Sequence, residues 1–194
     1  MRRIKRLIWL ILLVMAGLWW IGQQTPQAPR PSDRSEVPAR PAPRPEPIGR
    51  ALTGPVDRIL IEKSARRMSV FRDGQRLKSY NVALGFAPQG HKQQQGDGRT
   101  PEGFYRIDRK NDRSAFHLSL GIDYPRRADR QAAAALGVSP GGDIMIHGQP
   151  NQLDIADNMR INGDWTAGCI AVSNGEMQEL FRAIPIGTEV EIRP

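Results

Sequence analysis

The sequence predicts a mainly β domain with one or two helices over residues 53–194. Short runs of alternating apolar and polar residues follow one another from residue 58 onward, which is typical of half-buried strands. Asp73-Gly74 stands between two such runs and is a strong signal for a β-hairpin. Helical spacing of apolar residues is confined to 128–136 and 174–184.

The first predicted strands lie on either side of this turn. Residues 58–62 and 68–71 precede it, and 77–84 continues the hairpin after it. A two-residue turn joins neighbouring antiparallel strands, so we expect a mostly antiparallel sheet. Further strands are predicted at 103–107, 116–122, 144–147, 169–172 and 188–192.

The segment 128–136 is rich in Ala, whereas 174–184 carries a start signal and an apolar face. Ser173 and Glu176 match a capping box, in which each side chain accepts a hydrogen bond from the other residue's backbone. The apolar face has the spacing i, i+3, i+4 and i+7, and we expect it to pack on the sheet. Its residues are Met177, Leu180, Phe181 and Ile184.

Residues 1–22 have the composition of a membrane-targeting segment. Four basic residues among the first six precede an unbroken apolar run of 15 residues, 7–21. That run is shorter than the ~20 residues that span a typical bilayer, and fits a signal-peptide core or a minimal anchor. Because Trp19-Trp20 stand near its end and a small-residue cleavage site is lacking, we expect an uncleaved inner-membrane anchor and a periplasmic domain. Cleavage followed by secretion is the alternative.

Residues 23–52 are predicted to be a spacer. Eight of the 16 Pro residues of the chain fall there, interleaved with Ala and Arg. Such a composition cannot bury a core and favours an extended chain at ~3.1 Å per residue. The spacer would hold the domain at 53–194 roughly 85 Å from the membrane.

The formal net charge of +8 does not indicate a nucleic-acid partner. Residues 1–52 carry nine Lys and Arg against three Asp and Glu, whereas residues 53–194 carry 19 against 17. A nucleic-acid-binding domain needs a basic surface on the folded module itself. The surplus of positive charge belongs instead to residues 1–52, so nucleic-acid binding is excluded.

Cys169 is the only cysteine of the chain and the candidate nucleophile. An exported protein meets an oxidising compartment, and a lone thiol cannot form a disulfide within the chain. Free Cys is commonly just a small buried apolar residue. Here, however, Gly168 precedes it, and a glycine lets the backbone approach a substrate carbonyl and turn N–H groups towards it.

A thiol with a free pKa of ~8.5 needs a nearby base or cation to react as the thiolate. His147 follows the apolar residues 144–146, which places its imidazole at the end of a strand. His117, at an alternating position of 116–122, is the alternative base, and His91 is expected to be solvated in a polar loop. One Cys with His does not complete a zinc site, so no metal is predicted.

Two motifs together resemble the signature of the L,D-transpeptidase catalytic domain of bacterial cell-wall enzymes. They are His147-Gly148 and, after a gap, Thr166 followed by Gly168-Cys169-Ile170. Supporting matches occur at 96–103, 123–125, 140–142 and 184–188. The resemblance implies a β-sandwich-like domain and a cysteine acyl-enzyme mechanism without a cofactor or metal.

By this resemblance the substrate is a peptidoglycan stem peptide. Cys169 would attack the carbonyl between the L-centre of diaminopimelate and the D-alanine of a tetrapeptide, with His147 as the base. The carbonyl of Gly148 would orient His147, and the N–H groups of Gly168 and Cys169 would bind the oxyanion. The candidate substrate contacts are Thr166, Trp165, His117, Tyr124 and Arg99.

Two positions depart from the family pattern. The family often has His two residues before the nucleophile and Arg two residues after it, where this chain has Ala167 and Ala171. The first change removes a substrate or oxyanion contact, and the second removes a residue for carboxylate recognition. Trp165 is expected either to pack the loop or to form a pocket wall, and Asp164 to be a turn residue.

Three functions are compatible with these residues. The first is transpeptidation, in which an amine of a neighbouring stem or of a lipoprotein lysine accepts the acyl group. The second is hydrolysis, as a carboxypeptidase or as an amidase that releases wall-bound protein. The third, suggested by Ala167 and Ala171, is an inactive wall-binding module. We expect the first.

Overall fold

Eight strands and two helices form the part of the chain that the computed structural model describes, residues 52–151 and 163–194. These residues belong to the unit Glu46–Pro194. The predicted membrane segment 1–22 and the spacer up to residue 51 lie outside the described residues. Within the described part, no helix has the length and apolar character needed to cross a bilayer.

The predicted fold class, mainly β with one or two helices, is confirmed. The strands are β1 (Arg58–Glu62), β2 (Arg67–Arg72), β3 (Gln75–Asn81), β4 (Gly103–Ser114), β5 (His117–Ile122), β6 (Met145–His147), β7 (Ile170–Ala171) and β8 (Glu189–Arg193). The helices are α1 (Arg127–Ala135) and α2 (Asn174–Ala183).

The β2–β3 hairpin forms at the predicted turn. Asp73 and Gly74 have φ angles of +49° and +75°. Two consecutive residues with positive φ are what a two-residue type I′ turn requires, and its twist matches that of the flanking strands. The Asp-Gly pair therefore sets the antiparallel pairing of β2 with β3.

β4 is longer than the predicted strand 103–107. Its second part, 108–114, is entirely polar, so it offers no alternation of apolar residues to detect. The first part pairs with β8 and the second, from Ile107 onward, pairs with β5. β4 is therefore shared by two halves of the sheet.

The strand order is β3-β2-β1-β8-β4-β5-β6-β7. Most neighbours are antiparallel, as predicted, but β1–β8 and β6–β7 pair in parallel. Isolated bridges join Ala83 to Ala171 and Gly85 to Thr166. Because these bridges connect the chain after β3 with the chain around β7, the two ends of the strand order meet and the sheet curls around its core.

Apolar side chains from both halves of the sheet fill this core. Ile59 and Ile61 of β1 are fully buried, and so are Leu120 of β5 and Ile170 of β7. The core is thus continuous from the first strand to the strand that follows Cys169.

α2 covers this core with the face that its helical spacing predicts. Met177, Leu180 and Ile184 are fully buried, and Phe181 is partly buried. The capping box is present: Ser173 Oγ accepts the Glu176 N–H at 3.3 Å, and Glu176 Oε2 accepts the Ser173 N–H at 3.0 Å.

Candidate active site

The register of β6 and β7 brings His147 and Cys169 to one face of the sheet. Ile146 pairs with Ile170, and both side chains are fully buried in the core. Side chains alternate along a strand, so His147 and Cys169, which flank this pair in their own segments, lie on the opposite face. Ser119 of β5, which pairs with His147, lies on that face as well.

The His147 imidazole is held in one orientation by its own chain. Its Nδ1 lies 2.7 Å from the carbonyl oxygen of Gly148, the contact that the family resemblance implied. A carbonyl can only accept, so Nδ1 carries the hydrogen and Nε2 keeps a lone pair. Burial lowers the pKa of His147, against a smaller raising effect of the Gly148 hydrogen bond. The ring is therefore neutral at pH 7 and able to accept a proton.

The Cys169 side chain is half-buried. Its Sγ donates a hydrogen bond to the backbone carbonyl of Asp143 at 3.4 Å, rather than to the imidazole. Burial is the main reason that the pKa of the thiol is raised, and the Asp143 carboxylate raises it further. The pair at rest is therefore a thiol and a neutral imidazole, and the nucleophile has to be generated by proton transfer.

Thr166 organises the loop that leads to the thiol. Its Oγ1 donates to the Cys169 carbonyl at 2.7 Å and accepts the Gly168 N–H at 3.1 Å. The prediction of Gly168 as an oxyanion donor is therefore not supported, because the Thr166 hydroxyl already takes that N–H. No described residue accepts the Cys169 N–H, which leaves it as the candidate donor. Thr166 itself is buried and holds the loop, and its predicted contact with substrate stays a prediction.

Gly168 is required by its surroundings. Its φ is +134°, and a Cβ there would stand 2.7 Å from the Arg99 carbonyl oxygen and 3.1 Å from Ile144 Cδ1. Gly148 is equally confined, since a Cβ would stand 2.6 Å from Asn174 Oδ1. A side chain at either position would displace backbone next to the candidate nucleophile or base.

Aromatic rings form a wall beside the imidazole. The Phe116 ring centroid lies 4.6 Å from that of His147, and the Trp165 centroid lies 5.7 Å from it. These contacts favour the pocket-wall interpretation of Trp165. Phe116 was not among the predicted site residues, because the β4–β5 connection brings it to His147 and nothing in its local sequence indicates that contact.

Two predicted substrate contacts, Tyr124 and Arg99, make contacts within the fold, and their role towards substrate stays a prediction. Tyr124 is buried in the core, its hydroxyl donates to the Pro140 carbonyl at 3.0 Å, and burial raises its pKa. Arg99 contributes its backbone carbonyl to the packing around Gly168, and its guanidinium donates to the His91 carbonyl at 3.4 Å.

The two remaining histidines are both engaged. His117 is half-buried, has a φ of +68°, and its Nε2 lies 3.1 Å from Gln178 Nε2. His91, predicted to be solvated, is 34% exposed but also engaged: its Nδ1 accepts the Glu102 N–H at 3.0 Å and its Nε2 lies 3.2 Å from Asp129. A polar loop sequence does not reveal such contacts to a distant helix.

Asp164, predicted to be a turn residue, connects the thiol loop to two distant segments. One carboxylate oxygen accepts the Leu84 N–H at 3.0 Å, and the other pairs with Arg66 at 2.8 Å. These bonds fix the start of the loop that ends at Cys169. Within the described residues, no group of three or more His, Cys, Asp and Glu side chains is placed to hold a metal ion.

A curled sheet that presents a lone thiol and a backbone-oriented imidazole on one face defines a candidate cysteine acyl-transfer domain. The sequence profile described as "YkuD: L,D-transpeptidase catalytic domain" matches residues 56–192. The chain therefore belongs to the L,D-transpeptidase catalytic-domain family, as its motifs predicted.

Two of the proteins that this chain is similar to come from Escherichia coli and Campylobacter jejuni. The "Putative L,D-transpeptidase YafK" of Escherichia coli K12 is 32% identical over 132 residues, which cover 65% of this chain and 46% of that protein. The crystal structure of the helical cell shape determining protein Pgp2 from Campylobacter jejuni has a TM-score of 0.55 at 25% identity, over 71% of this chain and 47% of the other. The chain thus spans about half the length of the curated relatives it matches.

Proposed function

We propose that this chain is a peptidoglycan-remodelling cysteine acyltransferase that forms an acyl-enzyme on Cys169 and passes it to an amine. The observation that carries the proposal is the orientation of His147 by the Gly148 carbonyl, which leaves Nε2 free as a base on the face that carries the thiol. Membership of the L,D-transpeptidase family supports a stem peptide of the cell wall as the substrate.

The reaction begins with transfer of the thiol proton from Cys169 to His147 Nε2. The sulfur attacks the carbonyl that joins diaminopimelate to D-alanine, and the Cys169 N–H stabilises the oxyanion. The C–N bond breaks as the imidazolium gives its proton to the leaving amine, so a thioester and free D-alanine result. An acceptor amine then attacks the thioester, loses its proton to His147 and releases the thiol.

Proton transfer between neutral groups suits this site. The pKa of His147 is lowered and that of Cys169 is raised, both mainly by burial, so no ion pair is stored before the substrate binds. The negative charge then develops only during attack, where backbone donors are worth ~10²–10³ in rate.

The proposed location is the periplasm, with the inner membrane holding residues 7–21. The acceptor is then an amine of a neighbouring stem or of a wall-linked lipoprotein. Protease treatment of spheroplasts that express the full chain tests the location. Digestion of the 53–194 domain is expected, and a protected domain would contradict the proposal.

Incubation of the full chain with tetrapeptide muropeptides, read by mass spectrometry, tests the reaction. We expect crosslinked dimers, reduced at least about 10⁴-fold in Cys169→Ala and His147→Gln. His117→Gln is the comparison for the base: this variant of the alternative base and candidate substrate contact is expected to lose far less activity than His147→Gln. If His117→Gln is inactive and His147→Gln is active, the assignment of the base is wrong.

The same experiment separates the acceptors. Trimmed monomers without dimers would mean that water accepts the acyl group, as in a carboxypeptidase, and release of a wall-bound lipoprotein would indicate an amidase. If the folded protein yields no product and no carbapenem adduct on Cys169 but still co-sediments with peptidoglycan, it is an inactive wall-binding module.

A further inference from the structure

One row of residues runs across four segments of the sheet to the thiol. Arg109 of β4 pairs with Gly121 of β5, and Gly121 pairs with Met145 of β6. Because the next residue, Ile146, pairs with Ile170, the row continues from Met145 to Cys169. Neighbouring strands are ~4.8 Å apart, so the row connects an arginine with the candidate nucleophile over a short path.

Gly121 leaves open the space that the arginine occupies. A Cβ at Gly121 would stand 2.7 Å from Arg109 Cγ and 2.8 Å from its Cζ, closer than real contacts allow. The Arg109 side chain therefore lies across β5, on the face that carries His147 and Cys169. A larger residue at position 121 would force it off this path.

Two carboxylates fix the guanidinium of Arg109. Its Nη2 donates to Asp143 Oδ1 at 2.8 Å, and its Nη1 donates to Asp108 Oδ2 at 2.9 Å. The backbone carbonyl of the same Asp143 accepts the hydrogen bond of the Cys169 thiol. Burial, the largest influence on the pKa of Cys169, raises it, whereas the charge of Arg109 acts to lower it.

Lys92 also acts on the thiol electrostatically, but it is not accessible. Its side chain is 3% exposed, and its Nζ binds Asp97 Oδ1 at 2.8 Å and the Gln94 carbonyl at 3.1 Å. The Arg109 side chain is 39% exposed, and no described residue accepts from its Nε. Of these two cations, Arg109 is the one that an anion from solvent can reach.

We infer that Arg109 binds a carboxylate of the substrate and holds it beside Cys169, an inference that rests on the proposed function. The planar guanidinium offers several donors in a fixed geometry that matches a carboxylate. It supplies a cation from β4, whereas the family pattern places one two residues after the nucleophile, where this chain has Ala171. Asp108 and Asp143, with side chains that are 37% and 87% exposed, both moderate this charge.

Alkylation of Cys169 tests the charge without requiring turnover, because the chain has no other cysteine. Iodoacetate carries a carboxylate where neutral iodoacetamide carries an amide. The rate with iodoacetate divided by the rate with iodoacetamide, at low salt, therefore reports the electrostatic potential at Cys169. Arg109→Gln is expected to lower this ratio about threefold or more. Asp143→Asn is expected to raise it, and Asn tolerates the positive φ of that position.

Two further variants control this measurement. Arg106 lies on the same strand as Arg109 and forms an ion pair with Glu189. Arg106→Gln should leave the alkylation ratio unchanged. Arg109→Lys keeps the positive charge but lacks the planar guanidinium. Its alkylation ratio should stay close to that of the wild type, which would also show that a substitution at position 109 does not disturb the thiol.

Stem tetrapeptides with free or amidated carboxylates test binding of the substrate. The full chain is expected to prefer the free acid about tenfold, as for a hydrogen bond to a charged group. Arg109→Gln should lose this preference through a slower reaction of the acid, with the amide unaffected. If Arg109→Gln changes neither the alkylation ratio nor the preference for the free acid, the inference is overturned. Turnover of the peptides in that case still upholds the proposed function. If Arg109→Gln lowers the alkylation ratio but the full chain turns over neither peptide, the charged site is upheld and the proposed function is overturned.

Discussion

The two halves of the sheet hold their residues in place by different means. β1, β2, β3 and β8 are strands of five to seven residues that are held by apolar side chains in the core, and in β1 and β8 burial alternates along the strand. β6 and β7 have only three and two residues, and the site beside them is fixed by glycine contacts and by hydrogen bonds of side chains such as Thr166. Stability and site geometry are therefore separable by substitution.

Ile61→Ala is expected to have the largest effect on stability. The side chain is fully buried in β1, and its loss should lower the free energy of unfolding by about 2–5 kcal/mol, because the core cannot collapse fully around the cavity. Denaturant unfolding measures the change. The rate of alkylation of Cys169 in the folded variant should stay at the wild-type value, and a large change would show that the halves are coupled.

Thr166→Val tests the half of the sheet that carries the site. It leaves the Gly168 N–H without its acceptor and should cost about 1–3 kcal/mol of stability. Because the loop then no longer fixes Cys169, we also expect kcat/KM to fall about tenfold to 100-fold.

Thr188→Val is its matched control. Thr188 is equally buried, and its hydroxyl binds the carbonyls of Val56 and Pro185, away from the thiol loop. A similar loss of stability with unchanged kcat/KM is expected. Equal losses of activity in both variants would mean that the Thr166 hydroxyl has no special role at the site.

The smallest expected effect is on the pH dependence of stability. Burial lowers the pKa of His147 below the ~6.5 of an unfolded histidine, so the unfolded chain binds more protons between these two values. Stability contributed by the neutral ring is present above pH ~6.5 and is lost as the pH falls towards the folded pKa. His147→Gln should lose less stability than the wild type between pH 7.5 and 5.5, and equal losses would contradict a buried neutral ring.

The sequence predicted those features that depend on neighbours along the chain. The bounds of β1, the Asp73-Gly74 turn and the Ser173 cap follow from local pattern and agree with the structure. The proximity of His147 to the Gly148 carbonyl is also local.

Features that depend on register between distant strands could not be predicted. The packing of Phe116 on His147 and the path of Arg109 over Gly121 require the pairing of β4, β5 and β6. The contact of the Gly168 N–H with Thr166, which was not expected from the sequence, has another cause. A threonine two residues away can capture an N–H that the spacing of the motif leaves available.

The contact between the thiol loop and the chain after β3 also bears on how the protein folds. Asp164 and Leu84, which fix the thiol loop, are 80 residues apart along the chain. Contacts between such distant residues carry a large loop-closure entropy and form slowly. The thiol loop is therefore expected to assemble late, and during that interval Cys169 is open to oxidants. A chain with one cysteine has no internal partner with which this exposed thiol can form a wrong disulfide.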